Sequence, residues 1–249
     1  MIEIIKIIET IENSDVFTNI KPTEIYNEGW MTRLLVYYSM KEKVKLKEIE
    51  FSNKVNWTSE ALLSSPFVGV SNFKEGYTHA DIALGNFKVE YKQHGKGSGK
   101  IILNENAEVF GVIEAKMGSN LSAFTTNASD YNQASRTVAC IAHNTVNDCK
   151  TFFYVVLPET KAVKKNRKGI SLSDLLNEKK IITQIQNRFK HHNENNDLKL
   201  KDSDIISKVQ KCVVDIITYE EWIDLFTDKK IKNTLNEFYD KCKKWNNIK

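Results

Sequence analysis

The chain has 249 residues, enough for one large domain or two small ones. It is 41% hydrophobic and 27% charged, the composition of an ordinary globular protein with a substantial core. Its 36 basic and 32 acidic residues leave a net charge of +4, which permits a nucleic-acid partner without arguing for one. Cys140, Cys149, Cys212 and Cys242 form no CxxC pair and no Cys/His cluster at zinc-ligand spacing. They read as reduced thiols, and the cytoplasm is the expected compartment. No apolar run is long enough to span a membrane, so no membrane partner is expected.

Residues 2–13 read as an amphipathic helix, interrupted by Glu3, Lys6 and Glu9, and not as a signal peptide. After Pro22, the stretch 23–40 places Ile25, Trp30, Leu34, Leu35 and Tyr38 at helical spacing and predicts a second helix. Residues 44–63 fit neither period cleanly. Strands are predicted over 77–84, 87–91 and 100–103, the last two flanking a glycine-rich tip at 94–99. Another is predicted over 108–116, then a helix over about 128–143. Residues 151–157 are continuously apolar up to Pro158, which suits a buried central strand. A basic loop with five cations follows over 161–168, then a helix over 171–190 and a polar loop over 191–201, in which His191 and His192 are expected to be solvated. Residues 212–218 predict a last strand, and the remainder is helical. With no clear break, 1–249 reads as a single domain, with a core over about 20–160 and a C-terminal extension over 161–249.

The most informative residues are Asp81, Glu114 and Lys116. Each interrupts an apolar strand where a side chain should be buried. Glu114 and Lys116 are two apart and share one strand face. Charges at such positions are costly unless they are paired or hold a metal. Two carboxylates beside a lysine supply a cation site and a positioned amine, the needs of phosphodiester hydrolysis.

These segments resemble the PD-(D/E)xK nuclease superfamily, with its restriction-endonuclease-like fold. Asp81 stands at the first acid of the family pattern, and Glu114-Ala115-Lys116 matches its ExK element. The resemblance covers roughly 26–157. It implies an α/β fold with a mixed central sheet flanked by helices, plus extra helical C-terminal elements. It also implies a helical glutamate ahead of the strands. Glu28 fits that role and Glu24 is its rival. Gln133 and Arg136, on the helix after the ExK strand, are placed to face the site. Ala80 stands where many members have proline. The gap from Asp81 to Glu114 is long, and the glycine-rich hairpin accounts for the excess. Glu90-Tyr91-Lys92 is a second, closer ExK. The QxxxY signature of the exonuclease-like branch is absent, since Thr137 follows Gln133 by four.

The implied activity is Mg²⁺-dependent cleavage of nucleic acid, DNA before RNA, by an endonuclease; Mn²⁺ is an expected substitute. Asp81, Glu114 and the Ala115 carbonyl would hold the ion. Lys116 would orient the attacking water and offset charge on phosphorus, acting as a base only if its pKa is lowered. Glu28 completes the catalytic set. His79 is a candidate neighbour of Asp81. Lys96, Lys100, Lys164, Lys165, Arg167 and Lys168 are candidate nucleic-acid contacts. A homodimer is compatible with this reading. The alternative is a catalytically silent module of the same fold that binds nucleic acid or a partner protein.

Overall fold

The computed structural model describes residues 10, 21–68, 75–91, 99–125, 130–146, 148–165 and 169–248. All of the helix expected over 2–13 except Thr10 lies outside these residues, as do Lys92, Lys96, Arg167, Lys168 and the hairpin tip up to Ser98.

Where one helix is expected over 23–40, two form: α1 (Pro22–Ile25) and α2 (Glu28–Glu42). The break is at Asn27. Its backbone is extended, and its side-chain oxygen accepts the Trp30 amide at 3.0 Å, which caps α2. The stretch 44–63 holds a small hairpin, β1 (Lys45–Leu46) and β2 (Ile49–Glu50), and then β3 (Asn56–Leu63). The next four strands lie within a residue of expectation: β4 (Thr78–Gly85), β5 (Phe87–Glu90), β6 (Lys100–Leu103) and β7 (Val109–Ala115). Helix α3 (Gln133–Asn144) begins where Asn132 caps the Ser135 amide, later than expected. Strand β8 (Lys150–Leu157) and the short α4 (Glu159–Ala162) follow.

The helix expected over 171–190 is two, α5 (Leu172–Leu175) and α6 (Glu178–Asn195), because Asn177 caps the Lys180 amide and starts the second. The expected polar loop at 191 is corrected: α6 runs through His191 and His192. His192 is fully buried and not solvated, with its Nε2 2.9 Å from the Leu198 carbonyl. The chain closes with α7 (Ser203–Val209), β9 (Val213–Thr218), α8 (Tyr219–Asp224) and α9 (Lys229–Trp245).

Seven strands make one mixed sheet in the order β5-β6-β3-β4-β7-β8-β9. The β3–β6, β7–β8 and β8–β9 pairs are parallel, and the rest are antiparallel. Strand β8 is buried at every position after Lys150, as its apolar run predicts. One face packs Ala83, Val112 and Phe153 under Val138 and Ile141 of α3. The other packs Ile82, Ile113 and Tyr154 under Met31 and Leu35 of α2 and Leu235 and Phe238 of α9. Each Val, Leu, Ile, Phe or Met side chain buried in this way stabilises the fold by about 1.5–3 kcal/mol. The molecule is thus α/β, a mixed sheet flanked by helices. Among the described residues no helix is long and apolar enough to cross a membrane.

One buried polar cluster ties the front of β4 to the helical layer. Glu75 accepts Ser65 Oγ at 2.8 Å and Arg188 Nε at 2.9 Å. The Arg188 guanidinium lies 4.1 Å from the centre of the Phe67 ring.

Candidate active site

Strands β4 and β7 are antiparallel neighbours, and their pairing ends at Ile82 opposite Ile113. One step further along the same register, Asp81 stands opposite Glu114. The two acids therefore meet at one edge of the sheet, the carboxyl end of β7. The β3–β4 pairing is interrupted at the same level. Ser59 pairs with Ile82 and Ala61 with Ala80, while Glu60 between them has φ 54°. A left-handed backbone is uncommon for glutamate and concentrates at functional sites.

The Asp81 side chain extends the ladder where the backbone leaves it. Its Oδ2 accepts the Ala115 amide at 2.8 Å. On the other side of β7 the Lys116 amide donates to the Val156 carbonyl at 2.8 Å. Lys116 Nζ lies 2.6 Å from Glu114 Oε1 and 4.0 Å from Asp81 Oδ2. Gln133, the first residue of α3, donates from Nε2 to the same Glu114 oxygen at 2.6 Å. Its own Oε1 accepts the Ser122 amide, which fixes the side chain from behind.

Glu114 is the buried acid, its side chain 4% exposed against 31% for Asp81. Burial, and then the charge of Asp81, push its carboxyl up to about 7, against the opposing pull of Lys116 and Gln133. For Lys116, burial works toward a lower pKa. The charges of Glu114, Asp81 and Glu28 outweigh it, and the amine is held above its ordinary value. Lys116 is thus held as an ammonium beside Glu114, and the lowered pKa that a base role would need is not seen in this arrangement.

Glu28 joins the cluster and Glu24 does not. Glu28 Oε2 accepts the Met117 amide at 2.6 Å from the first turn of α2, whereas Glu24 is exposed on α1. The second ExK is removed from the first acid by topology. Glu90 ends the edge strand β5, and β6 and β3 separate it from β4. Arg136 turns away from the carboxylates. Its Nη2 is 3.3 Å from the carbonyls of Gly76 and Tyr77, and its Nε is 3.7 Å from Glu75. It braces the segment that leads into β4.

His79 is exposed on β4 opposite Leu62, which also pairs with Lys100 of β6. His79 and Lys100 thus lie in one row across the sheet, near the edge that carries Asp81. Lys164 lines a cleft beside Lys116, and Lys165 pairs with Ser171 in an isolated bridge. Sequence reasoning left Lys161 out of the site. It stands straight after β8, at the same edge as Lys116, and its Nζ reaches the Gly118 carbonyl at 3.0 Å. The parallel pairing of β7 and β8 is what places it there, since ligands gather beyond the carboxyl ends of parallel strands.

Among the described residues no three His, Cys, Asp or Glu side chains cluster tightly enough to hold a metal on their own. The donor set still fits a hard cation. It offers two carboxylates at one edge, with the carboxyl of Glu114 raised by burial and then by the charge of Asp81, and an ammonium already drawn between them. No family model matches the chain, and neither curated proteins nor solved structures yield a match.

Proposed function

We propose that this chain is a metal-dependent nuclease of the PD-(D/E)xK type, a hydrolase that cleaves phosphodiester bonds of nucleic acid, DNA before RNA. The observation that carries this reading is the convergence of Asp81, Glu114 and Lys116 at one sheet edge, within 4.0 Å of the lysine nitrogen. The order of elements supports it. Helix α2, strands β3, β4 and β7, helix α3 and strand β8 follow the helix–strands–helix–strand core of that superfamily. In space β3, β4, β7 and β8 are consecutive neighbours, and the β5–β6 hairpin that lengthens the gap from Asp81 to Glu114 sits at their edge.

Asp81, Glu114 and the Ala115 carbonyl would hold Mg²⁺, with Mn²⁺ as substitute. The chemistry such an ion supplies is polarisation of a phosphoryl oxygen and a lowered pKa for the attacking water. The chain's own groups do the rest. Lys116 places a positive charge where negative charge grows on the phosphoryl group. Gln133 fixes the Glu114 carboxylate, and Glu28 fixes the backbone just beyond Lys116. The test is Mg²⁺-dependent cleavage of plasmid and single-stranded DNA by the wild-type chain and by Asp81→Ala. Equal cleavage by both ends the assignment.

A second reading is a binding module of the same architecture. The Lys116–Glu114 bond favours it, because the ammonium already neutralises the acids without a metal. Dependence of cleavage on Mg²⁺ separates the two.

A further inference from the structure

A small cleft opens beside Lys116. Its floor is Leu121, Val155 and Leu157, all buried, and its rim carries Lys116, Lys161 and Lys164. Its volume is about 30 Å³, room for a water or two and too little for a nucleobase. What suits it is an anion seated across the rim, where the apolar floor lowers the local polarity and strengthens charge pairing.

Lys161 is anchored for that task. Its bond to the Gly118 carbonyl engages one of the three donors of an ammonium and ties it to the segment just past Lys116. Burial lowers the pKa of the amine, Glu28 raises it and Lys164 lowers it again. A partly dehydrated amine beside a second amine gains from an anion between them.

We infer that Lys161 and Lys164 form a subsite for the backbone phosphate adjacent to the scissile one, next to Lys116. The inference rests on the nuclease reading above and goes beyond it, since it assigns the register of the bound strand. With Lys116 shared between the two sites, a strand with one phosphate at Lys116 sets its neighbour on the rim. Lys161 is then a positioning residue, acting on substrate alignment, and the limited space predicts contact with the backbone and not with a base.

The experiment uses the full chain and an oligonucleotide that the wild type cleaves. Single uncharged methylphosphonates are placed at successive positions around the cleaved bond. Binding is measured in Ca²⁺, and KM and kcat in Mg²⁺. In the wild type, neutralising the adjacent phosphate should weaken binding and raise KM by roughly tenfold, the scale of one charge-assisted hydrogen bond. In Lys161→Ala and in Lys164→Ala the same methylphosphonate should have little further effect, and Lys161→Arg should restore the sensitivity. Lys164 is exposed, so its variant keeps the test open if Lys161→Ala proves unstable. An undiminished methylphosphonate penalty in both variants, with cleavage intact, would overturn the subsite and leave the nuclease reading standing. A lowered melting temperature in Lys161→Ala with that penalty retained gives Lys161 a structural role alone and also overturns it. A wild-type chain with neither metal-dependent cleavage nor salt-dependent binding overturns both.

Discussion

Lys116 and Glu114, two residues apart on one strand face, are joined by a 2.6 Å ion pair inside a site that leaves the glutamate almost no solvent. The pair explains why a lysine can close an apolar strand: its charge is answered locally. It also makes Lys116 the residue that most sharply divides an enzyme from a binding module. Lys116→Met keeps much of the volume and removes the charge. We predict a loss of about 10²-fold or more in single-turnover cleavage, the scale of a lost electrostatic stabiliser. Affinity for nucleic acid in Ca²⁺ should fall by roughly tenfold at most, the scale of one phosphate contact. Wild-type cleavage by this variant would sink the proposed chemistry even with the fold intact.

Glu114 gives a prediction in pH. Its carboxyl is raised from the ordinary 4.5 to about 7, by burial first and then by Asp81. The folded chain therefore holds this proton to higher pH than the unfolded chain does. Its contribution to stability is intact below 4.5, falls as pH rises toward about 7, and is then constant. In metal-free buffer, Glu114→Gln should remove this component. The difference in melting temperature, variant minus wild type, should grow between pH 4.5 and 7. A difference that is flat with pH would refute the raised carboxyl. The same variant, like Asp81→Ala, should abolish Mg²⁺-dependent cleavage.

Glu28 acts through the Met117 amide. Glu28→Ala should leave the fold intact and lower the cleavage rate at saturating substrate by roughly 10–100-fold, the scale of a lost hydrogen bond to a charged group. Glu28→Gln retains an acceptor and should fall between that variant and the wild type. Unchanged turnover in Glu28→Ala would leave the residue outside the site.

The basic segment can be tested through salt. Removing charge at Lys164, Lys165, Arg167 and Lys168 together should weaken DNA binding. Each lost phosphate contact should flatten the slope of log K against log salt by roughly 0.9 on duplex DNA. A slope equal to that of the wild type would reduce the segment to a solvated loop.

The Glu75–Arg188 pair predicts a stability effect away from the chemistry. Both side chains are buried, 5% and 1% exposed. Glu75→Ala strips the partner from a buried guanidinium and should destabilise by about 3–5 kcal/mol. Chemical denaturation reads this directly, and a change below about 1 kcal/mol would place Arg188 in contact with water.

The parts of the fold and site legible in the sequence were those where a charge broke an apolar pattern. Asp81, Glu114 and Lys116 stood out because strand periodicity made them anomalies, and the structure brings them together. Gln133 was legible only through the resemblance, on a helix expected to begin at about 128; the structure makes it the first residue of that helix. The breaks at Asn27 and Asn177 were missed, because apolar spacing runs on smoothly past a capping side chain that resets the helix. His192 was misread since its neighbours in sequence are polar, and its contacts with Phe67, Leu198 and Asn196 appear only in the fold. Arg136 pointed elsewhere because its partners, the Gly76 and Tyr77 carbonyls and Glu75, lie far from it in sequence. Lys161 was overlooked among five cations whose spacing says nothing of which one faces the cleft.

Helix α9 lies across α2, although nearly two hundred residues separate them along the chain. During synthesis, the apolar side of α2 leaves the ribosome long before its cover exists. Met31, Leu34 and Leu35 must wait for Leu235 and Phe238. Nascent chains halted short of residue 229 would therefore expose a greasy helix next to the three residues proposed for catalysis, and holdase chaperones should retain them. Release should come only once 229–245 has emerged, so that the finished site and the covered helix arrive together.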